Sequence, residues 1–316
     1  MRYRFGLAVG IGCLAATLVI GVLGARAADA RRAQLQEERS LATTRHGTIE
    51  YSTFGECAPV LVIHGAGGGF DQGRLLANAV GGDAARFIAV SRFGYLGSTL
   101  PEDASTTAQA EAIVDLLDAL AIKQVGVLAM SGGVPPALKL AEIFPERTGL
   151  LVLLSSAPFT PFSQQIEDRP IPTWAYSALL GNDAAYWALS KVARGPLKSA
   201  FDARPELLRI ATVKERLFVE QLVDGFLPAS ERLQGVANEG AAIDPAMRYD
   251  LTAIRAPALV IHAQDDRLNP FSVAERIVDG LPNAELIGLE SGGHLLLGHH
   301  AELRERISGF FGGRES

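Results

Sequence analysis

Cysteine is nearly absent from this chain. The only two, Cys13 and Cys57, lie in an N-terminal apolar stretch and just before a later apolar run, so they cannot frame a disulfide scaffold and do not reveal the compartment. No C-x-x-C or H-E-x-x-H spacing occurs, which leaves a metal site without sequence support. A basic excess is lacking too: 29 Lys and Arg stand against 35 Asp and Glu, for a formal charge of −6. The cations are scattered among acids, the pattern of an ordinary solvated surface, and this argues against nucleic acid as a partner. Repeats and low-complexity tracts are missing as well. With 48% hydrophobic residues over 316 positions, the chain can bury one large core, or a core plus a smaller subdomain.

Residues 5–24 form an uncharged, mostly apolar stretch of 20 residues, preceded by Arg2 and Arg4 and followed by Arg26, Arg31 and Arg32. That length suffices to span a bilayer. Ala25-Arg26-Ala27 also fits the small-x-small pattern of signal cleavage, although the apolar region is longer than the usual ~7–15 residues. The expectation for residues 1–27 is therefore a transmembrane anchor or an exported chain's signal peptide, with the anchor favoured. Residues 28–40 turn polar and mixed in charge and read as a helical or flexible spacer.

From about Leu41 the pattern changes. Alternation over 43–54, with a turn at His46-Gly47, predicts a hairpin. Short apolar runs then recur at 59–63, 87–90, 125–130, 150–154, 258–262 and 284–289, and helical patterns at 106–120, 135–144, 271–281 and 300–311 lie between most of them. Strands buried on both faces and alternating with helices imply a mostly parallel central sheet with helices on both faces. The alternation breaks between 154 and 258, where about a hundred residues are helical in pattern, too long for a structureless connection. Both tryptophans, Trp174 and Trp187, fall there with Tyr176, Tyr186, Phe201, Phe218 and Phe226. Most of these rings suit the insertion's own core, and the rest would line an apolar pocket under a lid. The expected division is a core of 41–157 and 241–316 with a helical lid of 158–240.

The run Val125-Gly126-Val127-Leu128-Ala129-Met130 ends in Ser131-Gly132-Gly133. A serine on a tight turn from strand to helix stands exposed at the strand's carboxyl end beside helix N-terminal amides, which suits a nucleophile whose reaction develops an oxyanion. Its hydroxyl is weak at neutral pH and needs a base, which in turn needs an orienting acid. Asp266 follows one later apolar run and His294 the last, in the chain order serine, aspartate, histidine. Asp265 is the weaker candidate for the acid. The glycines at 65–69 do not make a phosphate cradle: no Gly-Lys-Ser/Thr follows, and Phe70 stands where a dinucleotide fingerprint needs its third glycine.

Four motifs in order resemble the α/β-hydrolase superfamily over about residues 41–316. His64-Gly65-Ala66-Gly67-Gly68-Gly69 looks like its oxyanion loop, Ala129-Met130-Ser131-Gly132-Gly133 like its nucleophile elbow with Ala129 in place of a glycine, Ile261-His262-Ala263-Gln264-Asp265-Asp266 like its acid loop, and Ser291-Gly292-Gly293-His294 like its histidine loop. Ser91-Arg92-Phe93-Gly94-Tyr95-Leu96-Gly97-Ser98 resembles a further family loop, with Arg92 expected to hold loop carbonyls and Tyr95 to border the pocket. The resemblance implies a Ser131-His294-Asp266 triad, oxyanion donors at Gly132 and at Ala66 or Gly67, no cofactor, and a small or medium apolar ester as substrate. Within such a fold the same triad also cleaves carbon–carbon bonds, opens lactones or transfers acyl groups. A silent binding scaffold is the reading from another class.

Overall fold

The structure is a computed structural model that describes residues 2–83, 85–157, 181–242 and 249–313, with side chains described from Thr17 onward except at 240–242. Eight strands form one sheet in the order β1-β2-β4-β3-β5-β6-β7-β8. The hairpin of β1 (Ser40–Thr44) and β2 (Gly47–Phe54) is antiparallel, and β2 adds antiparallel to β4 (Ala85–Val90). Every other pairing is parallel, through β3 (Ala58–Ile63), β5 (Val125–Met130), β6 (Thr148–Leu154), β7 (Ala258–Ala263) and β8 (Ala284–Leu289).

The apolar runs explain this arrangement. Successive side chains of a strand point to opposite faces, so an unbroken run supplies two layers. Leu61, Val127, Leu151 and Val260 face α3 (Thr106–Ala119), α4 (Val134–Ile143) and α10 (Ser272–Gly280). Val62, Leu128, Val152 and Ile261 face α2 (Phe70–Leu76) and α11 (His300–Gly312). Strand β7 is buried at all six positions, whereas the edge strand β8 has one buried residue. Helix α2 and the π turn Ala77–Gly81 that extends it were not evident in the sequence, because so short an element shows little periodicity.

Between β6 and β7 the described residues hold α5 (Asp183–Val192), α6 (Arg194–Ala200), α7 (Pro205–Ile210), α8 (Val213–Asp224) and α9 (Leu233–Ala242). The expected helical insertion is therefore present, although Trp174 and Tyr176 lie outside the described residues. Its apolar side chains pack in two clusters, one shared with the histidine loop and one formed by the insertion itself, as expected for most of its rings. Phe218, Val219 and Leu222 pack on Leu295 and Leu297 behind the histidine loop, and Tyr186 and Phe226 form a second cluster with Val223 and Leu227.

Helix α1 spans Arg2–Glu38, so the residues read as a spacer continue one helix. Leu35 enters the core beneath the sheet and Ala28 is fully buried. At Gly24 a Cβ would lie 2.5 Å from Ala184 Cα, which shows how closely α1 approaches α5. Arg32 pairs with Asp183 at 2.5 Å, and Arg31 with Asp71 at 2.7 Å. The expected membrane-crossing helix is not supported: among the described residues no helix is long and apolar enough to cross a membrane. Most of the stretch 5–24 lies outside the residues whose side chains are described.

Candidate active site

All four loops singled out in the sequence leave the carboxyl ends of parallel strands, β3, β5, β7 and β8, and converge on one edge of the sheet, where open α/β sheets place their ligands. Ser131 follows β5 at φ 53°, a left-handed conformation that a non-glycine residue adopts only when its surroundings enforce it. The enforcement is visible in the neighbouring glycines. A Cβ at Gly133 would lie 2.4 Å from the Ile63 carbonyl oxygen, and one at Gly65 would lie 3.1 Å from Ser131 Cβ. Ala129 is fully buried within β5, so the elbow accommodates the extra methyl group. After one 3-10 turn, Ser131–Gly133, helix α4 begins with Pro135 and Pro136 in its first turn, where amides have no helical partner to lose.

Asp266 and His294 meet as the motif order requires. His294 Nδ1 lies 2.9 Å from Asp266 Oδ2, and Asp266 Oδ1 accepts from the amides of Leu268 at 2.8 Å and Asn269 at 3.0 Å. Burial opposes the Asp266 charge, but His294, His262 and the Asn269 amide outweigh it and hold the carboxyl far below its ordinary value of 3.8. Burial likewise opposes the His294 imidazolium, yet the Asp266 carboxylate and the more distant Asp202 raise its pKa above 6.5. Asp265 has a different task. It accepts from the Gly293 amide at 2.8 Å and pairs with Arg204 at 2.6 Å, so it shapes the loop that carries His294 and does not touch the imidazole.

Ser131 and His294 are not hydrogen-bonded to each other. The Ser131 hydroxyl instead accepts from Asn269 Nδ2 at 3.4 Å, whose shorter bond, 2.8 Å, goes to the Ser155 carbonyl. Nucleophile and base are often loosely joined before substrate arrives.

The two loop amides proposed as oxyanion donors differ in their surroundings. The Gly67 amide donates to the Tyr95 hydroxyl at 3.1 Å, whereas the Ala66 nitrogen lies 3.3 Å from where a Gly132 Cβ would stand. The Gly67 amide is thus engaged by Tyr95, and Ala66 is the loop residue whose nitrogen lies beside Gly132. Arg92 does hold a loop carbonyl, donating from Nε to His64 O at 3.0 Å, and its own amide donates to His64 Nε2 at 3.0 Å. Burial and the Arg92 charge keep His64 well below its ordinary pKa, so it stays a neutral acceptor.

Several contributors escaped the sequence reading. His262 Nε2 lies 3.1 Å from the Asn269 carbonyl and 3.2 Å from Asp266 Oδ2. Asp202 accepts from the His294 amide at 3.0 Å. Glu215, which caps α8 through Thr212, accepts from the Gly298 amide at 2.8 Å and the His300 amide at 3.0 Å, so the lid holds the chain just after the histidine. Glu239 pairs with Arg92, both buried. No motif marks Asp202, Glu215 or Glu239, because each is a polar side chain within an otherwise ordinary insertion segment, and the acid-loop motif gives His262, one of its members, no role of its own. Among the described residues there is no cluster of groups able to hold a metal ion.

Fold and site together define a hydrolase scaffold of one recognisable kind. A sequence model of the alpha/beta hydrolase fold matches residues 58–301, and the chain belongs to that family. It is 30% identical over 266 residues to the uncharacterized hydrolase YcgS of Bacillus subtilis, covering 79% of this chain and 89% of that protein. It is also 30% identical over 257 residues to a 2-hydroxymuconate semialdehyde hydrolase of Pseudomonas putida, covering 80% and 86%. A 2-hydroxy-6-oxononadienedioate/2-hydroxy-6-oxononatrienedioate hydrolase of Paraburkholderia phymatum matches at 29% over 267 residues, with 80% and 87% covered. Among solved structures, an alpha/beta hydrolase fold protein from Nakamurella multipartita superposes with a TM-score of 0.76 at 24% identity, covering 86% of this chain and 98% of that one.

Proposed function

We propose that the protein is a serine hydrolase that cleaves a small or medium carboxylic ester through an acyl-enzyme. The observation that carries this reading is the strained turn at Ser131, set beside the amides of Ala66 and Gly132 and near a buried Asp266-His294 pair. His294 Nε2 takes the serine proton as Oγ attacks the acyl carbon. The two amides receive the developing oxyanion, a contribution of about 3 kcal/mol per donor in comparable sites. His294 then returns the proton to the leaving alcohol, and water attacks the acyl-enzyme by the same steps in reverse order. Asp266 keeps the imidazole in the tautomer that presents Nε2 to serine and balances the imidazolium.

A second reading, carbon–carbon bond hydrolysis, is favoured by the likeness to a 2-hydroxymuconate semialdehyde hydrolase and to a 2-hydroxy-6-oxononadienedioate/2-hydroxy-6-oxononatrienedioate hydrolase. The same serine, base and oxyanion donors serve carbon–carbon cleavage, and no feature of the triad separates the two. Fluorophosphonate labelling of the folded protein, compared with Ser131→Ala, tests the nucleophile. Turnover of p-nitrophenyl esters of graded chain length, against turnover of a 2-hydroxy-6-oxodienoate, then separates ester from carbon–carbon hydrolysis. A folded wild type that neither labels nor turns over either class supports the binding-scaffold reading.

The location of the protein is a separate part of the proposal. From the apolarity of residues 5–24 alone we propose that an uncleaved N-terminus holds the chain at a membrane, although among the described residues no helix is long and apolar enough to cross one. The docking of Gly24 and Ala27 against the lid favours retention of the segment over signal cleavage, which would remove both contacts. Mass measurement of the mature N-terminus tests this: loss of residues up to 27 overturns the anchor.

A further inference from the structure

Two imidazoles meet the Asp266 carboxylate, and the triad uses one of them. His294 Nδ1 lies 2.9 Å from Asp266 Oδ2, and His262 Nε2 lies 3.2 Å from the same oxygen. His262 stands on β7, an otherwise apolar strand, four positions before the acid. It is fully buried and packs edge-on to Phe271, with ring centroids 5.9 Å apart. A polar ring inside a strand is costly unless its hydrogen bonds are made, so its partners show what it does.

Those partners fix where its proton sits. Nε2 lies 3.1 Å from the Asn269 carbonyl oxygen, which can only accept, so Nε2 carries the proton, with Asp266 Oδ2 as the second acceptor in reach. Nδ1 is buried and has no hydrogen-bond partner among the described residues. A proton there would be a second donor sealed from water with nothing to receive it, so Nδ1 holds the lone pair and the ring donates from one side alone. Asn269 is itself a junction. Its amide donates to Asp266 Oδ1 at 3.0 Å, and its side-chain nitrogen donates to the Ser155 carbonyl at 2.8 Å and reaches the Ser131 hydroxyl at 3.4 Å.

We propose that His262 is a positioning residue for the triad, its single Nε2–H steadying both the Asp266 carboxylate against His294 and the Asn269 backbone whose side chain reaches Ser131. The inference rests on the serine-hydrolase reading and adds a residue to its machinery. A carboxylate that has His262 and the Leu268 and Asn269 amides besides His294 is less basic than one with His294 alone, and stabilises the imidazolium less. Asp266 raises the His294 pKa, and His262 limits that rise. The other charged groups around the pair are Asp202, which accepts from the His294 amide at 3.0 Å, Asp265 on the Gly293 amide, and Arg204, within ion-pair distance of both acids. The substitutions below leave all three in place.

The test follows the rate of fluorophosphonate labelling of Ser131 against pH, a readout of His294 that needs no knowledge of the substrate, in the wild type, His262→Leu, His262→Phe and His262→Gln. Thermal melting establishes which variants are folded. Leucine and phenylalanine both delete the donor, and phenylalanine keeps a ring against Phe271. With either, the acid limb of the labelling rate is expected to rise by about half to one pH unit, the weight of one shared hydrogen bond to a carboxylate, so part of the loss at neutral pH returns as the pH is raised. His262→Gln, whose side-chain nitrogen reaches about as far as Nε2, brings the limb back toward the wild type. A purely structural ring predicts the opposite sign: if its loss only lets Asp266 drift, His294 loses its counter-charge and the limb falls. A limb that falls or stays, or a glutamine variant no nearer the wild type than leucine, overturns the proposal. Imidazole 15N NMR of the wild type decides independently of any variant, since a His262 protonated on Nδ1 overturns the donor assignment. A wild type with the expected His262 tautomer that does not label overturns the serine-hydrolase reading instead.

Discussion

Removing the Arg232 guanidinium tests how the lid is held over the oxyanion loop. Arg232 is fully buried and every nitrogen is engaged. Nη1 donates to the Gly68 carbonyl at 2.6 Å, Nη2 to Asp71 Oδ2 at 2.9 Å and to the Gly225 carbonyl at 2.8 Å, and Nε to the Phe226 carbonyl at 2.9 Å. Asp71 also receives Arg31 from α1 at 2.7 Å, so one carboxylate joins the first helix, the lid and the loop after β3. Substituting Arg232→Met leaves Asp71 with half of its compensation and four backbone carbonyls, of Gly68, Gly225, Phe226 and Leu227, without this donor. Breaking a buried pair of this kind costs about 3–5 kcal/mol, and at about 2–4 °C per kcal/mol for a domain of this size the melting temperature drops by roughly 6–20 °C.

The pH dependence adds a sign that packing alone would not give. Burial opposes the Asp71 charge, but Arg232 and Arg31 prevail and its folded pKa lies below 3.8. A depressed carboxyl contributes stability that is complete above the unfolded value and is lost as pH falls through the folded one. The difference between wild type and Arg232→Met, measured by urea unfolding, therefore holds steady near neutrality and narrows below about pH 4. The double variant Arg232→Met/Asp71→Leu recovers part of the loss, since no buried charge is then left alone and Arg31 can turn to solvent. A melting shift under about 2 °C, or a double variant no better than the sum of the singles, refutes the reasoning.

Asp266→Asn should lower kcat about ten thousandfold by favouring the wrong imidazole tautomer, measured by steady-state ester hydrolysis. Because Asp266 raises the His294 pKa, the acid limb of kcat/KM in the wild type lies above pH 6.5, where protonated His294 stops accepting the serine proton; the Asn variant moves that limb downward. Replacing Asn269 by Val deletes the donor to the Ser131 hydroxyl and to the Ser155 carbonyl, and the lost bonds reduce the fluorophosphonate labelling rate by about three- to tenfold. Gly132→Ala forces a Cβ to within 2.8 Å of Glu239 Oε2, so the carboxylate shifts, and kcat falls at least tenfold while the melting temperature drops by about 2–12 °C, for a cost of about 1–3 kcal/mol.

What could be read from the sequence was whatever depends on neighbours along the chain. The two-sided burial of β5, β6 and β7 follows from unbroken apolar runs, and the elbow follows from small residues flanking Ser131, since the strand and helix that crowd it are local to that turn. The sequence favours Asp266 as the acid, with Asp265 the weaker candidate, and the structure gives both a place: Asp266 beside the imidazole, Asp265 on the Gly293 amide. Long-range polar pairing left no such trace. Arg92 and Glu239 are 147 positions apart, and Arg232 and Asp71 are 161 apart. In the sequence Arg92 stands out only through its family-like loop, while Glu239, Arg232 and Asp71 are each one more charge among the 29 basic and 35 acidic residues, indistinguishable from a solvated one. Burial alone gives them weight, because a charge removed from water must find its counter-charge nearby. Through Glu215, Arg232 and Glu239 the helical insertion supplies polar contacts to the loops that follow β8, β3 and β4.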